Sequence, residues 1–308
     1  MTEISYGTIE TVPQPRDDMS ELQYYILANV QRVSAFLSLC GSFYIIREII
    51  GNEQKRAAKL QNVYHRIMLV LSISDCTSSL ALFASNWAAP SNVAYDFMQG
   101  NVGNIATCDM QAFMLILGCW GVFASNMVLS VYFLLCVKYS WSNERLKSKL
   151  ERPYHILLAV GALPVSVGPM IWDLYNPTIS CCFLQLYPKL CNDPSNDVKC
   201  YRGNEFAYKL VYIALYLLPI PIASFAISYS MYQLYRAVRR QEEEAKAFAS
   251  NATLVRLSRH SRKVYFRAIW YVLSFAVVWV PGLILILMDY SYTLQIITKL
   301  FTPMQGEY

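Results

Sequence analysis

Charged residues are scarce in this sequence: 15% of its 308 residues are Asp, Glu, Lys or Arg, whereas 55% are hydrophobic. Soluble globular domains usually contain about 25% charged residues, so this composition excludes an ordinary soluble domain. The net charge of +5 arises from Lys and Arg in short segments between long apolar runs. Basic loops of this kind are typical of membrane proteins, and we therefore predict no nucleic-acid partner.

Motifs of enzyme chemistry are also missing. The three histidines, His65, His155 and His260, do not form a metal-ligand set with cysteines or carboxylates. A phosphate-binding glycine loop and the Gly-x-Ser-x-Gly nucleophile motif are absent. The sequence shows no internal repeat, which disfavours many transporter folds. We therefore expect no catalytic activity, no bound metal and no cofactor.

Long hydrophobic runs, by contrast, are abundant. A helix that crosses the roughly 30 Å hydrocarbon core of a membrane needs about 20 apolar residues. Seven apolar stretches lie at about residues 22–46, 64–89, 105–137, 153–175, 206–235, 264–288 and 292–308. The last stretch is short, because only thirteen residues run from Leu294 to Gly306. The sequence thus predicts an all-α integral membrane bundle of seven transmembrane helices, the seventh truncated.

The distribution of basic residues predicts the orientation of this bundle. Segments 47–66, 138–152 and 236–267 carry nineteen Lys and Arg residues, whereas residues 1–22 and 176–205 carry four. Cytoplasmic loops of membrane proteins are enriched in Lys and Arg. We therefore expect the N-terminus to lie outside, with residues 1–22 as an extracellular tail and residues 23–308 as the transmembrane domain.

Five of the nine cysteines fall on the predicted outer side, where disulfides form readily. Cys108 lies at the outer start of the third stretch, and Cys181, Cys182, Cys191 and Cys200 lie in the second outer loop. A bridge from Cys108 would hold this loop over the mouth of the bundle. All four loop cysteines are candidate partners. We favour Cys108–Cys182 together with Cys191–Cys200, which leaves Cys181 as a free thiol.

Several residues inside the apolar stretches are candidates for a switch. Asp75 lies within the second stretch, where an ionisable group costs roughly 2.5–3.5 kcal/mol and so usually faces the bundle interior. Asn126 and Ser130 in the third stretch are its expected partners. Such a cluster either switches between states or only holds helices together. In the sixth stretch Trp279 precedes Pro281, which removes a backbone hydrogen bond and allows a hinge.

Two basic residues are candidates for ligand binding. Arg32 in the first stretch and Lys299 in the seventh could each line a polar cavity in the outer half of the bundle. A basic cavity would suit an anionic ligand. Arg32 could instead extend its guanidinium group to the outer lipid headgroups while its stem stays in apolar surroundings.

Six segments along the chain carry a family resemblance. They are RVSAFLSLCGSFYII at 32–46, LSISD at 71–75, Cys108 with QAF at 111–113, CCF at 181–183, WVP at 279–281 and PMQG at 303–306. In this order and spacing the chain resembles the G-protein-coupled receptors, in particular the cyclic-AMP-receptor-like group, and it shares features with the secretin-like class. The acidic-Arg-Tyr motif of the rhodopsin-like class is absent from residues 131–137.

The resemblance implies a plasma-membrane receptor that binds an extracellular ligand, moves the inner end of helix six and then binds a heterotrimeric G protein. By position, the G-protein contacts would come from Lys138, Tyr139, Arg145, Arg239, Arg240, Arg262 and Lys263. Lipid phosphates are alternative partners of these basic residues. In the family more helix follows the Pro-x-Gln-Gly stretch, whereas this sequence ends at Tyr308, so we expect an incomplete seventh helix and leave open whether the chain signals.

A second hypothesis is a retinal-binding photoreceptor or pump, because Lys299 could form a Schiff base with retinal. Against it, no carboxylate lies between residues 110 and 137 of helix three to act as counter-ion. In addition, Pro303 follows Lys299 by four residues, which differs from the spacing in animal-type opsins. A transporter is a third hypothesis, disfavoured by the missing repeat.

Overall fold

The structure, a computed structural model, describes residues 20–91, 100–188, 191, 199–246, 270, 273, 277–282, 284 and 292–303. Within these residues the chain is mostly helical. The extracellular tail predicted for residues 1–22 lies almost entirely outside the described residues, and so does most of the sixth predicted stretch.

The elements follow the chain in a simple order. The helices are α1 (Glu21–Ile50), α2 (Glu53–Gln61), α3 (Val63–Ala84), α4 (Ile105–Tyr139), α5 (Asn143–Leu146), α6 (Arg152–Ile171), α7 (Glu205–Tyr212), α8 (Pro219–Lys246) and α9 (Tyr292–Phe301). A 3-10 turn at Ser85–Ala88 follows α3, and π-helical turns at Lys147–Glu151 and Ile213–Leu217 precede α6 and α8. Strands β1 (Tyr175–Pro177) and β2 (Cys182–Leu184) pair antiparallel between α6 and α7.

Five helical segments are long and apolar enough to cross a membrane. They are Glu21–Ile50, Val63–Ala88, Ile105–Tyr139, Asn143–Ile171 and Glu205–Arg240, and they coincide with the first five predicted stretches. These helices indicate a multi-pass membrane protein. The prediction of a helical membrane bundle is therefore confirmed for five spans, while the full count of seven and the orientation stay predictions. The described residues also include the small β1–β2 sheet, which the prediction of an all-α chain did not contain.

Capping side chains define where the long helices begin. At α1 the Ser20 hydroxyl accepts a hydrogen bond from the Gln23 backbone N–H, and the Gln23 side chain accepts one from the Ser20 N–H. Asn104 and Thr107 make the same reciprocal pair at the start of α4. Each such cap stabilises a helix by about 1 kcal/mol. The observed starts of α1 and α4 lie within two residues of those predicted from apolar length.

Helix α4 lies at the centre of the bundle. It packs against α3, α6, α8 and both strands, while α1 packs against α3 and α9. The approach of α4 to α3 is close: a Cβ atom added at Gly118 would lie 2.5 Å from the Ser78 backbone nitrogen, and one at Gly121 would collide with Ser74. Small residues allow such approaches between membrane helices. The pairing of α3 with α4 is therefore set by these glycines and serines.

Candidate ligand-binding site

The two ends of the bundle differ in chemistry. One end, called the disulfide end below, contains β1, β2 and the disulfide from Cys108 near the start of α4. The other end, called the basic end, contains α2, α5 and the segment of α4 that ends at Lys138 and Tyr139. With a rise of about 1.5 Å per residue, the two ends of α4 lie roughly 50 Å apart.

The predicted disulfides are present. Cys108 is bonded to Cys182 with a Cα–Cα distance of 5.3 Å, and Cys191 is bonded to Cys200 with a Cα–Cα distance of 5.0 Å. Cys181 is a buried free thiol, as predicted. The first disulfide fastens β2 to the first turns of α4, so the β1–β2 segment is held against the disulfide end.

An arginine that the sequence reading did not single out reinforces this segment. Arg202 Nη2 lies 3.0 Å from Asp173 Oδ1 and 3.4 Å from Asp109 Oδ1, with the arginine side chain only 6% exposed. Nearby, the Tyr175 hydroxyl of β1 donates to the Ser166 carbonyl at 2.5 Å. Burial raises the pKa of Tyr175, so the hydroxyl stays neutral and remains a donor.

Two buried glutamines complete the attachment of the β1–β2 segment. Gln31 Nε2 donates to the Leu82 carbonyl at 3.0 Å, and the Ser180 hydroxyl donates to Gln31 Oε1 at 2.8 Å. Gln111 Nε2 donates to the end of α3, and its Oε1 accepts from the Cys182 backbone N–H at 2.8 Å. Buried amides that satisfy both ends of their side chains hold neighbouring elements in one arrangement. The segment is thus preformed rather than loose.

A cavity of about 220 Å³, called the central cavity, lies at the disulfide end between α1, α3, α4, β2, α8 and α9. Its wall is mainly apolar and includes the aromatic rings of Trp120, Phe123, Phe183 and Trp279. A dry apolar cavity of about 150 Å³ already admits a benzene-sized molecule. The central cavity is therefore large enough for a small apolar ligand or part of a larger one.

Two predicted functional residues line the central cavity. Lys299 on α9 brings a positive charge to the wall, and none of the described lining residues is Asp or Glu. Trp279 packs edge-on against Phe123 of α4 with ring centroids 5.6 Å apart. Trp279 and Pro281 both lie in the helical residues 277–282. The cavity wall therefore contains both the charged Lys299 and Trp279 of the segment in which Pro281 is predicted to form a hinge.

Arg32 lines a different and smaller cavity. That cavity has a volume of about 190 Å³. The guanidinium carbon of Arg32 lies 4.5 Å from the centroid of the Trp87 ring. Arg32 does not belong to the wall of the central cavity. The two candidate ligand-binding residues, Arg32 and Lys299, are thus placed in separate cavities.

The predicted polar core forms around Asp75, with partners that the sequence reading missed. Asp75 is fully buried on α3, and its Oδ2 accepts hydrogen bonds from Ser38 at 2.7 Å and Ser42 at 2.6 Å, both on α1. Asn126 is also buried, on α4. The expected bond from Ser130 to Asp75 is absent, because the Ser130 hydroxyl donates to the Met127 carbonyl of its own helix at 2.7 Å. The polar core therefore joins α1 to α3.

A row of serines on α1 was the feature of the sequence that could have predicted these contacts. Ser34, Ser38 and Ser42 recur every four residues, which places them on one face of a helix, and all three are at most 1% exposed. The Ser34 hydroxyl donates to the Leu300 carbonyl of α9. On α3, the Ser79 hydroxyl donates to the Pro303 carbonyl at 3.4 Å. Serines on α1 and α3 thus position α9, and with it Lys299.

The basic end carries five of the predicted G-protein contacts. Lys138, Tyr139, Arg145, Arg239 and Arg240 are all exposed there. Lys138 Nζ donates to Gln233 on α8 at 3.0 Å, and the Arg145 guanidinium carbon lies 4.4 Å from the Trp141 ring centroid. Arg239 Nη1 donates to the Tyr235 hydroxyl at 2.9 Å. Arg262 and Lys263, the other two predicted contacts, lie outside the described residues.

The basic end also contains an ion pair that the sequence reading missed. Arg66 at the start of α3 makes two hydrogen bonds to the Glu151 carboxylate, whose side chain is 7% exposed. His155 Nε2 lies 3.6 Å from the same carboxylate. Asn143 accepts from the Val63 N–H at 3.2 Å, so two side chains attach the α4–α6 connection to α3.

Comparison of the chain with protein-family models and with curated proteins finds no match. The functional assignment therefore depends on the geometry of the two ends. The disulfide end has a covered cavity with a cation in its wall, and the basic end has an exposed group of cations.

Proposed function

We propose that the chain is a seven-transmembrane G-protein-coupled receptor that binds an extracellular ligand in the central cavity and signals to a heterotrimeric G protein. Two observations support the orientation this requires. Disulfides form in the oxidising space outside the cell, which favours the disulfide end as the outer end. Lys and Arg are enriched in cytoplasmic loops, which favours the basic end as the inner end, at the plasma membrane.

The central cavity is the observation that carries the proposal. Binding sites are usually preformed, mostly apolar and supplied with a few well-placed polar groups. The central cavity has this composition, and the Cys108–Cys182 disulfide holds its cover in place. A positive charge without a described carboxylate beside it favours an anionic or strongly polar acceptor group on the ligand. The expected ligand is a small apolar molecule with one acidic group that contacts Lys299.

Trp279 provides the path from ligand to G protein. Its ring lies in the cavity wall against Phe123, and Pro281 follows two residues later in the same helical segment. A ligand that packs better against one position of the Trp279 ring shifts the balance between two helix arrangements. Movement of the inner part of this helix would then change the surface formed by Lys138, Arg145 and Arg239.

The test combines ligand binding with nucleotide exchange. The protein, in lipid nanodiscs, is screened by thermal unfolding against a library of small aromatic and aliphatic carboxylates. Compounds that raise the melting temperature are then assayed for guanine-nucleotide exchange on a panel of purified heterotrimeric G proteins. We expect a stabilising compound to accelerate exchange on at least one G protein.

Variants of two lysines make the test specific. Lys299→Gln should weaken binding of the acidic compounds roughly tenfold, the loss expected for a charge-assisted hydrogen bond. Lys209→Gln is the matched control, because Lys209 is exposed on α7 and paired with Glu205 at 2.5 Å. A ligand that binds through Lys299 but changes exchange on no G protein would contradict receptor signalling.

The retinal hypothesis keeps one observation in its favour. Lys299 lies in a cavity wall rich in aromatic rings, which could pack against the polyene of retinal. The acidic residue of α4 nearest to the predicted counter-ion region, Asp109, pairs instead with Arg202. Addition of all-trans and 11-cis retinal should therefore produce no red-shifted absorbance band. A band that Lys299→Ala abolishes would replace the receptor proposal by a photoreceptor or pump.

A further inference from the structure

The second cavity of the disulfide end has an unusual wall. It has a volume of about 190 Å³, is lined by Tyr25, Arg32, Asn86 and Trp87 among others, and shares no lining residue with the central cavity. Tyr25 and Trp87 are 57% and 46% exposed, so the cavity lies at the rim of the bundle. It is therefore a site separate from the central cavity.

Two polar groups in this wall lack partners within the described part of the chain. The Arg32 guanidinium makes no hydrogen bond or ion pair there, its Nε is buried, and its contact is the face of the Trp87 ring at 4.5 Å. Asn86 is 4% exposed, and its buried Oδ1 accepts no hydrogen bond. A buried donor or acceptor without a partner is costly, more so when it is charged. One cavity thus holds an unpaired cation and an unpaired acceptor.

We propose that this cavity binds a phosphate group that retains one proton. The anionic oxygens accept from the Arg32 guanidinium, whose planar fork matches phosphate geometry. The remaining P–OH donates to Asn86 Oδ1. Stacking on Trp87 holds the guanidinium plane and leaves its N–H edge for the ligand. This site does not depend on the proposed receptor function.

Two sources of phosphate fit the position of the cavity. Trp and Tyr side chains are enriched at the headgroup level of membranes, and long basic side chains reach toward that level. A lipid with a phosphomonoester headgroup could therefore supply the group from the membrane. A soluble phosphate compound could supply it from the aqueous side. In both cases the bound species keeps one P–OH, which is the monoanion of a phosphomonoester or the dianion of inorganic phosphate.

The test uses two anions of equal charge and similar shape. Thermal unfolding of the full chain in dodecyl maltoside is followed at about pH 8 in sodium phosphate and in sodium sulfate of equal ionic strength. Hydrogenphosphate keeps one O–H at this pH, whereas sulfate has none. Both salts stabilise proteins generally, so sulfate also controls for that effect. A bound anion raises the melting temperature by mass action.

We expect phosphate to stabilise the wild type more than sulfate does. Arg32→Gln should raise the apparent dissociation constant for phosphate roughly tenfold or more, since it removes the charge but keeps the stem. Asn86→Leu should abolish the preference for phosphate over sulfate, and it should fold well because it removes an unpaired buried atom. Arg56→Gln, on exposed α2, and Lys299→Gln should both retain the preference.

Two results would overturn the proposal. One is equal stabilisation of the wild type by phosphate and sulfate. The other is a phosphate preference that persists in Asn86→Leu, or an apparent dissociation constant for phosphate that Arg32→Gln leaves unchanged. Native mass spectrometry then identifies the source. Tighter binding of phosphatidic acid than of inorganic phosphate, with no binding of phosphatidylcholine, indicates a lipid, and similar affinities indicate a soluble compound.

Discussion

The disulfide end and the basic end of this bundle stabilise their polar groups in opposite ways. At the disulfide end the amides of Gln31 and Gln111 are buried and bonded to backbone atoms, and a disulfide adds a covalent tie. At the basic end most cations are exposed, and one well-buried carboxylate, Glu151, bonds to Arg66. The interactions at the disulfide end hold a cavity in one shape, whereas the basic end exposes positive charge to partners.

This contrast has an energetic meaning. Buried hydrogen bonds and cross-links fix an arrangement because breaking them leaves unpaired groups in a medium of low dielectric constant. Exposed cations contribute little to stability, since water and salt screen their interactions. Changes at the disulfide end should therefore affect mainly stability, and changes at the basic end should affect mainly partner binding.

Removal of the Cys108–Cys182 disulfide should have the largest effect on stability. Its cysteines are 74 residues apart in sequence, and a cross-link that closes a loop of this length contributes about 4 kcal/mol. The double variant Cys108→Ser with Cys182→Ser should unfold at a clearly lower temperature in micelles. Cys191→Ser with Cys200→Ser is the matched control, because it opens a loop of 9 residues and should cost about 3 kcal/mol or less. Equal losses would contradict a special role for the first disulfide.

Changes in the polar core around Asp75 should have the second-largest effect on stability. Asp75→Ala leaves the buried hydroxyls of Ser38 and Ser42 without their acceptor, and each such loss costs about 1–3 kcal/mol. Asp75→Asn keeps an acceptor oxygen in nearly the same volume and should lose less than half as much. The melting temperatures of both variants, measured in the same detergent, provide the comparison. If alanine and asparagine destabilise equally, the hydrogen bonds from Ser38 and Ser42 do not explain how Asp75 stabilises the fold.

The Arg66–Glu151 pair should contribute a smaller amount. Glu151→Gln removes a nearly buried charge and leaves Arg66, itself 23% exposed, with weaker bonds, so we expect a loss of about 1–3 kcal/mol. Glu48→Gln breaks the pair with Lys59, in which Glu48 is 65% exposed, and should cost much less, because water and salt screen an exposed pair. Thermal unfolding measures both. A larger loss in Glu48→Gln would mean that burial does not decide the strength of these pairs.

The exposed cations should matter least for stability. Arg145→Ala removes a stacking contact with Trp141, worth roughly 0.5–1 kcal/mol at an exposed site. If the basic end binds a G protein, the same variant should lower ligand-stimulated nucleotide exchange several-fold. Lys209→Ala, at the disulfide end, should leave exchange unchanged. An Arg145→Ala variant with normal exchange would remove Arg145 from the proposed G-protein surface.

The sequence readily predicted features that depend on local composition. The length of the apolar runs located the five described spans. Ser20 caps α1 and Asn104 caps α4, which explains why the predicted starts of these helices are close to the observed ones. The preference for Cys108–Cys182 among four candidate pairings was also correct. Such features are predictable because a membrane requires every helix to satisfy its own backbone within one continuous apolar run.

Features that depend on the rotation of one helix against another were harder to predict. Ser130 was expected to reach Asp75, yet Ser38 and Ser42 do so from α1. Arg202 and Gln111 were not expected to attach the β1–β2 segment. Hydropathy does not tell which face of a helix meets which neighbour, since membrane helices associate through packing and hydrogen bonds.

The amino-acid sequence by itself determined that this chain is a helical multi-pass membrane protein with basic residues concentrated at one end and paired cysteines at the other. Those properties follow from the cost of placing charge and unpaired backbone in hydrocarbon, which acts on each segment separately. Only the tertiary structure decided that Lys299 lines the central cavity while Arg32 lines another beside Trp87. Cavities are enclosed by residues far apart in sequence, so their composition depends on how the helices pack.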